Sequence, residues 1–212
     1  MSTLLNKLYQ SRKIILEMLE LRGYSIEQYT NFTINEIDLM TKNASKKLEA
    51  TNNTLDIIVN HKTNDSKIIV KYILFTKIRP NNLKVLIDEM IEEINPNTSD
   101  TIIFISKDKL NNIEAFDTIF NSYNSLFLQI FELHKLLINI TKHALVPQLK
   151  ILNKDETSLV LKKYNTNDLN NFHIIKLSDP QAKFYGVRKY DLCEITRPSE
   201  TSGVYNSYRY CL

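Results

Sequence analysis

The carboxyl-terminal residues 179–212 constrain the fold more than any other stretch of the chain. Two segments rich in β-branched and aromatic residues, 192–197 and 204–211, enclose the sequence Pro198-Ser199-Glu200-Thr201-Ser202-Gly203. Turn-forming residues between two such segments predict a β-hairpin. We expect Gly203 to supply a positive φ there, and Ser199, Thr201 and Ser202 to fix the turn through local hydrogen bonds.

A short helix is predicted just before this hairpin. Asp179 is a suitable N-cap, because its carboxylate can accept hydrogen bonds from the unpaired amides of the first turn. Pro180 follows at the first helical position, where a missing N–H costs nothing. Gly186 then ends the helix as a residue that readily takes a positive φ.

The last strand places large side chains on both of its faces. Side chains alternate along a strand, so one face carries Val204, Asn206, Tyr208, Tyr210 and Leu212, and the other carries Tyr205, Ser207, Arg209 and Cys211. Chain termini usually fray unless they are held in a sheet or by a partner. A terminus rich in aromatic residues on both faces therefore predicts burial against another protein.

These residues also resemble a known family. Asp179-Pro180, Gly186 and residues 197–203, followed by Tyr205 and Ser207-Tyr208-Arg209, are similar to the C-terminal signature of the fifth, shared subunit of eukaryotic-type DNA-dependent RNA polymerases. This C-terminal domain also resembles a small subunit of the archaeal polymerase. His143-Ala144-Leu145-Val146-Pro147 is similar to the segment that opens the same domain, and Arg22-Gly23-Tyr24 resembles the start of the family's N-terminal domain.

The resemblance implies a two-domain, non-catalytic polymerase subunit. Residues 1–142 would form a jaw-like domain beside entering DNA, with a nuclease-like fold that lacks catalytic residues. Residues 143–212 would form a small α/β assembly domain that docks on the largest subunit, among other polymerase subunits. The expected interface residues are Arg197, Ser199, Glu200, Thr201, Ser202, Gly203, Tyr205, Tyr208 and Arg209, and the expected structural residues are His143, Pro147, Asp179, Pro180 and Gly186.

Within that interface, we expect the tyrosines and arginines to dominate, because buried Tyr and Arg carry most binding energy in protein interfaces. The alternative is that these residues only stabilise the hairpin.

The rest of the chain reads as an α/β (α+β) protein. Hydrophobic periodicity and turn signals in the first half give the order ααββαβαββ, which implies a mixed sheet flanked by helices. The predicted elements are helices at 4–22, from Thr33, at 82–94 and around 113–120, and strands at 55–59, 67–74, 101–106, 126–131 and 136–140. In the second half we expect strands at 148–152 and 172–177, a helix capped by Asn153 and Glu156, and then the helix and hairpin described above.

The spacing of Asp56 and Lys71 resembles part of one kind of active site. Asp56, followed on the next strand by Ile69-Val70-Lys71, has the spacing of a nuclease site of the Asp…Glu-x-Lys type. That chemistry needs two carboxylates to hold a divalent metal, and Ile69 stands where the second would be. A metal-dependent nuclease is therefore the weaker alternative. In the simpler interpretation, Asp56 lies at a strand edge and Lys71 on a solvated face.

No other catalytic, metal or cofactor site is predicted. The four histidines, His61, His134, His143 and His173, are not spaced as metal ligands, and three glycines make no phosphate-binding loop. We expect His143 to be a hydrogen-bonding residue, and Cys193 and Cys211 to be small apolar residues on adjacent strands. No small-molecule substrate is implied.

The distribution of charge limits direct binding of nucleic acid. The formal net charge is +3, and residues 1–142 contain seventeen basic and seventeen acidic residues. A domain that binds DNA alone usually carries a basic excess, which argues against the second alternative, a free-standing nucleic-acid-binding adaptor. Weak contact with downstream DNA is expected only within the assembly, through the phosphate-binding candidates Lys107 and Lys109. In the family a proline-containing motif approaches DNA at this loop, and residues 109–113 contain no proline.

The sequence also predicts where the protein works. No apolar run approaches the ~20 residues of a membrane span, and the N-terminus lacks the apolar core of a signal peptide. We therefore expect an intracellular protein without membrane contact. Enrichment in Asn, Ile and Lys indicates an A+T-rich genome, so the location would be the nucleus if the source is cellular, or the virion or host cytoplasm if it is viral.

Overall fold

A computed structural model describes residues 3–46, 54–74, 78–97, 99–110, 113–123 and 126–212. The chain divides into two compact units, Met1–Ile138 and Asn139–Leu212. This division falls four residues before the boundary at 142/143 that the sequence suggests. Each unit contains one four-stranded sheet.

The N-terminal unit has the mixed sheet that the sequence predicts. The strands are β1 (Ile57–Asn60), β2 (Lys67–Ile73), β3 (Thr101–Ser106) and β4 (Phe127–Glu132), and they lie in that spatial order. β1 pairs with β2 in antiparallel fashion, whereas β3 is parallel to both β2 and β4. The helices are α1 (Thr3–Leu21), α2 (Ile34–Lys46), α3 (Pro80–Ile94) and α4 (Ile113–Ser122).

The core of this unit is built around β3, all of whose residues are buried. Ile102 and Phe104 belong to a cluster that includes Leu83 and Ile87 of α3 and Phe116 of α4. The residues that alternate with them on the opposite face of β3 are buried as well. The prediction of a strand covered on both faces is therefore confirmed.

The sequence prediction of a strand at 136–140 is wrong. Two short 3-10 helices, Leu133–Leu136 and Ile140–Lys142, occupy this region. The Asn139 side chain accepts a 3.0 Å hydrogen bond from the Thr141 N–H and so turns the backbone away from an extended path. A short apolar run alone cannot distinguish a strand from a buried turn.

The outer edge of β1 is closed by the chain itself. The Tyr29 hydroxyl lies 3.3 Å from both the N–H and the C=O of Ile58. Further along the same edge, the Asn60 C=O accepts from the Ser25 N–H at 3.0 Å, and the next outward-facing amide, Lys62 N–H, donates to the Gly23 C=O. Alternate residues of β1 thus find partners on the side away from β2.

The C-terminal unit contains the predicted hairpin within a second mixed sheet. Its strands are β5 (Gln148–Ile151), β6 (His173–Ile175), β7 (Leu192–Ser199) and β8 (Gly203–Cys211), in the spatial order β5-β7-β8-β6. β7 and β8 form the antiparallel hairpin, and β6 runs parallel to β8. The helices are α5 (Lys154–Lys163) and α6 (Pro180–Tyr185).

The predicted helix caps are confirmed in both units. Thr33 and Glu36 exchange hydrogen bonds at the start of α2, and Asn153 and Glu156 form the same capping box at the start of α5. These local signals fix where the helices begin. Among the described residues, no helix combines the length and apolar character needed to cross a bilayer.

Candidate docking surface of the C-terminal unit

The β7–β8 hairpin is buried at one end and exposed at the other. At the inner end, Tyr210 packs with Val160 and Leu192, and Cys211 is fully buried. At the outer end, Val204 and Tyr205 leave 61% and 58% of their surface exposed. We call residues 197–207 the hairpin tip. It presents large side chains to solvent, as Ile174 on β6 also does.

The turn within the hairpin tip is held by its own residues. The Ser199 Oγ lies 3.2 Å from the Thr201 Oγ1, and it accepts a 3.4 Å hydrogen bond from the Ser202 N–H. Gly203 has a φ of +71°. The predicted local role of these four residues is confirmed, and it leaves the exposed side chains of Arg197, Glu200 and Tyr205 as the tip's candidate contacts.

Tyr208 is only partly exposed and has clear partners within the unit. Its ring makes edge-to-face contacts with Tyr164 and Phe172, at centroid distances of 5.6 and 6.2 Å. Its hydroxyl donates a 2.9 Å hydrogen bond to Glu194 on β7. Burial, together with this hydrogen bond and the carboxylate charge, raises the pKa of Tyr208 to about 12. Tyr208 therefore stabilises the unit itself, and Arg209 beside it is half-buried.

Backbone geometry shows that one edge of β8 is open along the hairpin tip. The Leu212 N–H and C=O bond to Ile175 and Leu177, on the side of β6. The Cys211 N–H and C=O bond to Asp191 and Tyr190, on the side of β7. Since these directions alternate along a strand, the backbone groups of Asn206 and Tyr208 also face the side of β6.

β6 is too short to cover that edge. Its first residue, His173, pairs with Arg209, and the chain before it turns into a 3-10 helix, Leu169–Asn171. Among the described residues, no strand lies beside Asn206. An open groove of about 490 Å³ occupies this position, and its walls include Tyr164, Phe172 and Tyr208.

The residues predicted to be structural make local contacts in the C-terminal unit. The His143 Nδ1 accepts a 3.2 Å hydrogen bond from the Leu145 N–H, and the Pro147 C=O accepts from the Gln181 side chain. Asp179 caps α6 by accepting from the N–H groups of residues 181 and 182, at 2.8 and 3.1 Å, with Pro180 as the first helical residue. Gly186 ends α6 with a φ of 75°.

Cys193 and Cys211 are free and fully buried, in agreement with the sequence prediction. Burial raises the pKa of the Cys193 thiol to about 12 and that of the Cys211 thiol to about 11, and the charge of Asp191 adds to both shifts. Both side chains therefore stay neutral and act as apolar core residues.

The candidate phosphate contacts lie in the N-terminal unit, after β3. Lys107 and Lys109 are exposed, with Asp108 between them. The loop is anchored because Glu132 accepts a 2.8 Å hydrogen bond from the Leu110 N–H. Asn111 and Asn112, in the segment 109–113 that is expected to approach DNA, lie outside the described residues.

The nuclease-like outline is organised differently from what the sequence suggests. Lys71 is 2% exposed, so the expectation of a solvated face is wrong. The Asp56 carboxylate accepts a 3.2 Å hydrogen bond from the Tyr72 N–H, and Ile69 packs in the core. Burial lowers the pKa of Lys71, and the charge of Asp56 opposes this shift. Across the part of the chain that the structure describes, no three His, Cys, Asp or Glu residues group as metal ligands.

The open edge of β8 and the groove beside it are not predicted by the sequence. The groove brings together Tyr164 and Phe172, which are distant in sequence from Tyr208. The only available signal was a length mismatch, since the strand predicted at 172–177 is shorter than its partner at 204–211.

Comparison with known proteins agrees with the two-unit architecture. The family profile "RNA polymerase Rpb5, N-terminal domain" matches residues 2–90, and "RNA polymerase Rpb5, C-terminal domain" matches residues 138–211. The chain is 28% identical over 212 residues to "DNA-directed RNA polymerases I, II, and III subunit rpabc1" of Dictyostelium discoideum, covering 98% of each chain.

Two nematode proteins give similar matches. The relative named "DNA-directed RNA polymerases I, II, and III subunit RPABC1" is 29% identical in Caenorhabditis briggsae and 28% identical in Caenorhabditis elegans. Each match covers 96% of this chain and 94% of the relative. With both domain profiles matched and relatives aligned along nearly its whole length, the chain belongs to the RNA polymerase Rpb5 family.

Proposed function

We propose that this chain is a non-catalytic subunit of a multi-subunit DNA-directed RNA polymerase. Its C-terminal unit docks on the largest subunit, and its N-terminal unit forms a jaw beside downstream DNA during transcription. The observation that carries the proposal is the hairpin tip, where a hydrogen-bonded turn presents Arg197, Glu200 and Tyr205 to solvent. Exposed aromatic and arginine side chains on a rigid support are typical interface anchors.

The internal contacts of the C-terminal unit support this assignment. Ser199, Thr201 and Ser202 hold the backbone of the turn, which lowers the entropy that the backbone loses when the tip binds. Tyr205 forms no ring contact with another aromatic side chain among the described residues, whereas Tyr208 does. Tyr205 therefore serves as the cleaner test of docking.

The test is recovery of the polymerase with a tagged full-length chain from its native source. The wild-type chain should recover the largest subunit, and Tyr205→Ala should lower that recovery about tenfold. Lys109→Ala is the matched control in the other unit and should leave recovery unchanged. Recovery without any polymerase subunit, or equal recovery with both variants, would contradict the proposed docking.

The jaw placement is tested separately on the assembled polymerase. Lys107 and Lys109 are exposed and lie close together in sequence, so they can contact phosphate without reading sequence. Replacing both by alanine should reduce the salt dependence of DNA binding by about one unit of slope for each lost contact. An unchanged slope would remove these two residues from the DNA path.

The chemistry of the N-terminal unit supports a non-catalytic role. The position that would need a second carboxylate holds Ile69, a core residue, and Lys71 is enclosed. Cleavage of DNA or RNA by the purified chain, abolished by Asp56→Asn, would instead favour the nuclease. We place the protein in the nucleus, since the three relatives named above come from cellular eukaryotes.

A further inference from the structure

The open edge of β8 has the geometry of a strand-binding site. Along β8, alternate residues point their backbone groups toward β6, and this pattern is fixed at the inner end by the bonds of Leu212 to Ile175 and Leu177, both 3.1 Å. β6 begins only at the level of Arg209. The N–H and C=O of Asn206 and the N–H of Tyr208 therefore face a position without a strand.

The neighbouring residues on this edge limit how much backbone is available. The Val204 N–H already donates to the Ser202 C=O at 2.8 Å, so the turn uses it. The available groups are thus the Val204 C=O, both groups of Asn206 and the Tyr208 N–H. They suit a segment of about four extended residues, at ~3.3 Å per residue.

The groove beside the edge supplies side-chain contacts as well. Tyr205 and Ser207 line it from one face of β8, and Asn206 and Tyr208 line it from the other. A groove lined from both faces straddles the strand edge. Tyr164 and Phe172 add aromatic walls, with Tyr164 half-exposed.

We propose that an extended segment of the partner polymerase subunit adds to this sheet as a strand beside β8, in line with β6. This inference rests on the docking proposed above and specifies its chemistry. Strand addition uses main-chain hydrogen bonds for affinity and pockets for alternate side chains for specificity. The segment places one large apolar or aromatic side chain against Tyr164 and Phe172.

Charge and shape identify the occupant further. Residues 139–212 contain eleven Lys and Arg and seven Asp and Glu, so acidic residues flanking the added strand are complementary to this unit. Both rims of the groove come from this unit, residues 164–166 and 171–173. A second copy of the folded sheet would bring its own rims to the same place, whereas a single extended segment would not.

The first experiment uses two substitutions at one position in the full-length chain. Asn206→Pro removes the N–H that faces the open edge, and Asn206→Ala keeps it. Both lose the 3.0 Å hydrogen bond from the Asn206 side chain to Glu194. We expect Asn206→Pro to recover about tenfold less of the largest subunit than Asn206→Ala. Equal recovery by two folded variants would overturn strand addition.

A second measurement needs no substitution and covers the case in which Asn206→Pro does not fold. Hydrogen exchange of single amides is compared between the isolated chain and the assembled polymerase. The Asn206 and Tyr208 amides should exchange at least about tenfold more slowly in the assembly. The Ser207 amide, which faces β7, is the internal control and should change less.

The outcomes separate the two proposals. If the largest subunit is recovered but the Asn206 and Tyr208 amides exchange at unchanged rates, docking stands and strand addition is wrong. If no polymerase subunit is recovered, the proposed function itself fails. Protection of these amides in the isolated chain that rises with its concentration would identify a second copy as the occupant and would also overturn the proposal.

Discussion

The two sheets of this protein differ at two of their edges: the outer edge of β1 is closed by the chain, whereas the outer part of β8 is open. At the outer edge of β1, alternate backbone groups find partners in the same unit: Ile58 meets the Tyr29 hydroxyl, and Asn60 accepts from Ser25. At the outer part of β8, the N–H and C=O of Asn206 and the N–H of Tyr208 meet no strand in the described chain. An open edge invites pairing with other chains, and proteins usually block it.

The difference shows which of these two edges the chain closes by itself. In the N-terminal unit, residues of the segment 23–29 form hydrogen bonds with the outer edge of β1 and close it. In the C-terminal unit, the segment before β6 turns away as a 3-10 helix and leaves a groove instead. An edge that folding leaves open beside an exposed hairpin tip is best explained by a partner that closes it, as proposed above.

The largest expected loss of stability comes from a substitution in the core of the N-terminal unit, compared with one at the exposed hairpin tip of the C-terminal unit. Phe104 on β3 is 0% exposed and packs against two helices, so Phe104→Ala should destabilise the N-terminal unit by about 3–5 kcal/mol. Val204→Ala at the hairpin tip should change stability by less than about 0.5 kcal/mol, because Val204 is exposed. Denaturant unfolding of both variants checks this. A large loss for Val204→Ala would mean that the tip already packs within the chain.

The second effect compares two glycines with positive φ. Gly203 has a φ of +71° and open space around an added Cβ, so Gly203→Ala should cost about 1 kcal/mol through backbone strain alone. Gly23 has a φ of +87°, and a Cβ there would lie 2.8 Å from the His61 Nε2. Because strain and a clash combine, Gly23→Ala should cost about 2–3 kcal/mol.

A double substitution separates strain from clash at Gly23. In a His61→Ala background, Gly23→Ala should cost close to what Gly203→Ala costs, since only strain remains. Thermal unfolding of the four variants gives the coupling energy. If Gly23→Ala lowers the stability by the same amount with and without His61, the close contact between Gly23 and the His61 ring has no energetic role.

Local signals in the sequence predicted much of this fold. The capping pairs Thr33–Glu36 and Asn153–Glu156, the cap at Asp179 and the hairpin turn all depend on residues within a few positions of one another. Each forms the hydrogen bonds that the sequence predicts. Such contacts can be predicted because their partners are fixed by the chain itself.

What the sequence did not reveal depends on distant partners. The Tyr29 hydroxyl reaches a strand residue 29 positions away, and the groove wall at Tyr164 meets Tyr208 from another element. The burial of Lys71 likewise depends on the packing around β2, which a strand pattern does not report. The candidate interface was identified by resemblance, but its open edge became visible only when the lengths of β6 and β8 could be compared.

The inner end of the β7–β8 hairpin is buried, in contrast to its exposed tip, and the pH dependence of stability can test this burial. Cys193 and Cys211 have pKa values raised from 9.0 to about 12 and about 11 in the folded chain. The unfolded thiols ionise first, so the folded state binds more protons above pH 9. The stabilisation is fully present well below pH 9 and is lost as the pH rises through 9, at a rate that approaches about 1.4 kcal/mol per pH unit for each thiol.

The expected result is a steady loss of stability of the C-terminal unit between pH 9 and 10. Cys193→Ala should lose less over this interval, because one of the two thiols is gone. Urea unfolding at fixed pH values measures both slopes. Equal slopes for the two proteins would show that Cys193 is not enclosed as the structure places it.

The smallest effect addresses the edges directly. Tyr29→Phe removes only the hydroxyl that meets Ile58, and it keeps the ring over which the Arg12 guanidinium lies at 5.6 Å. Ile58 is 50% exposed, so water can replace the lost partner and the stability should fall by about 0.5 kcal/mol. Local opening is more sensitive than global stability. The Ile58 amide should therefore exchange about threefold faster, moving toward the rate of the Asn206 amide in the isolated chain. If the Ile58 amide is unaffected, or if Asn206 is as protected as wild-type Ile58, the two edges do not differ, and the case for a partner strand at β8 loses its structural basis.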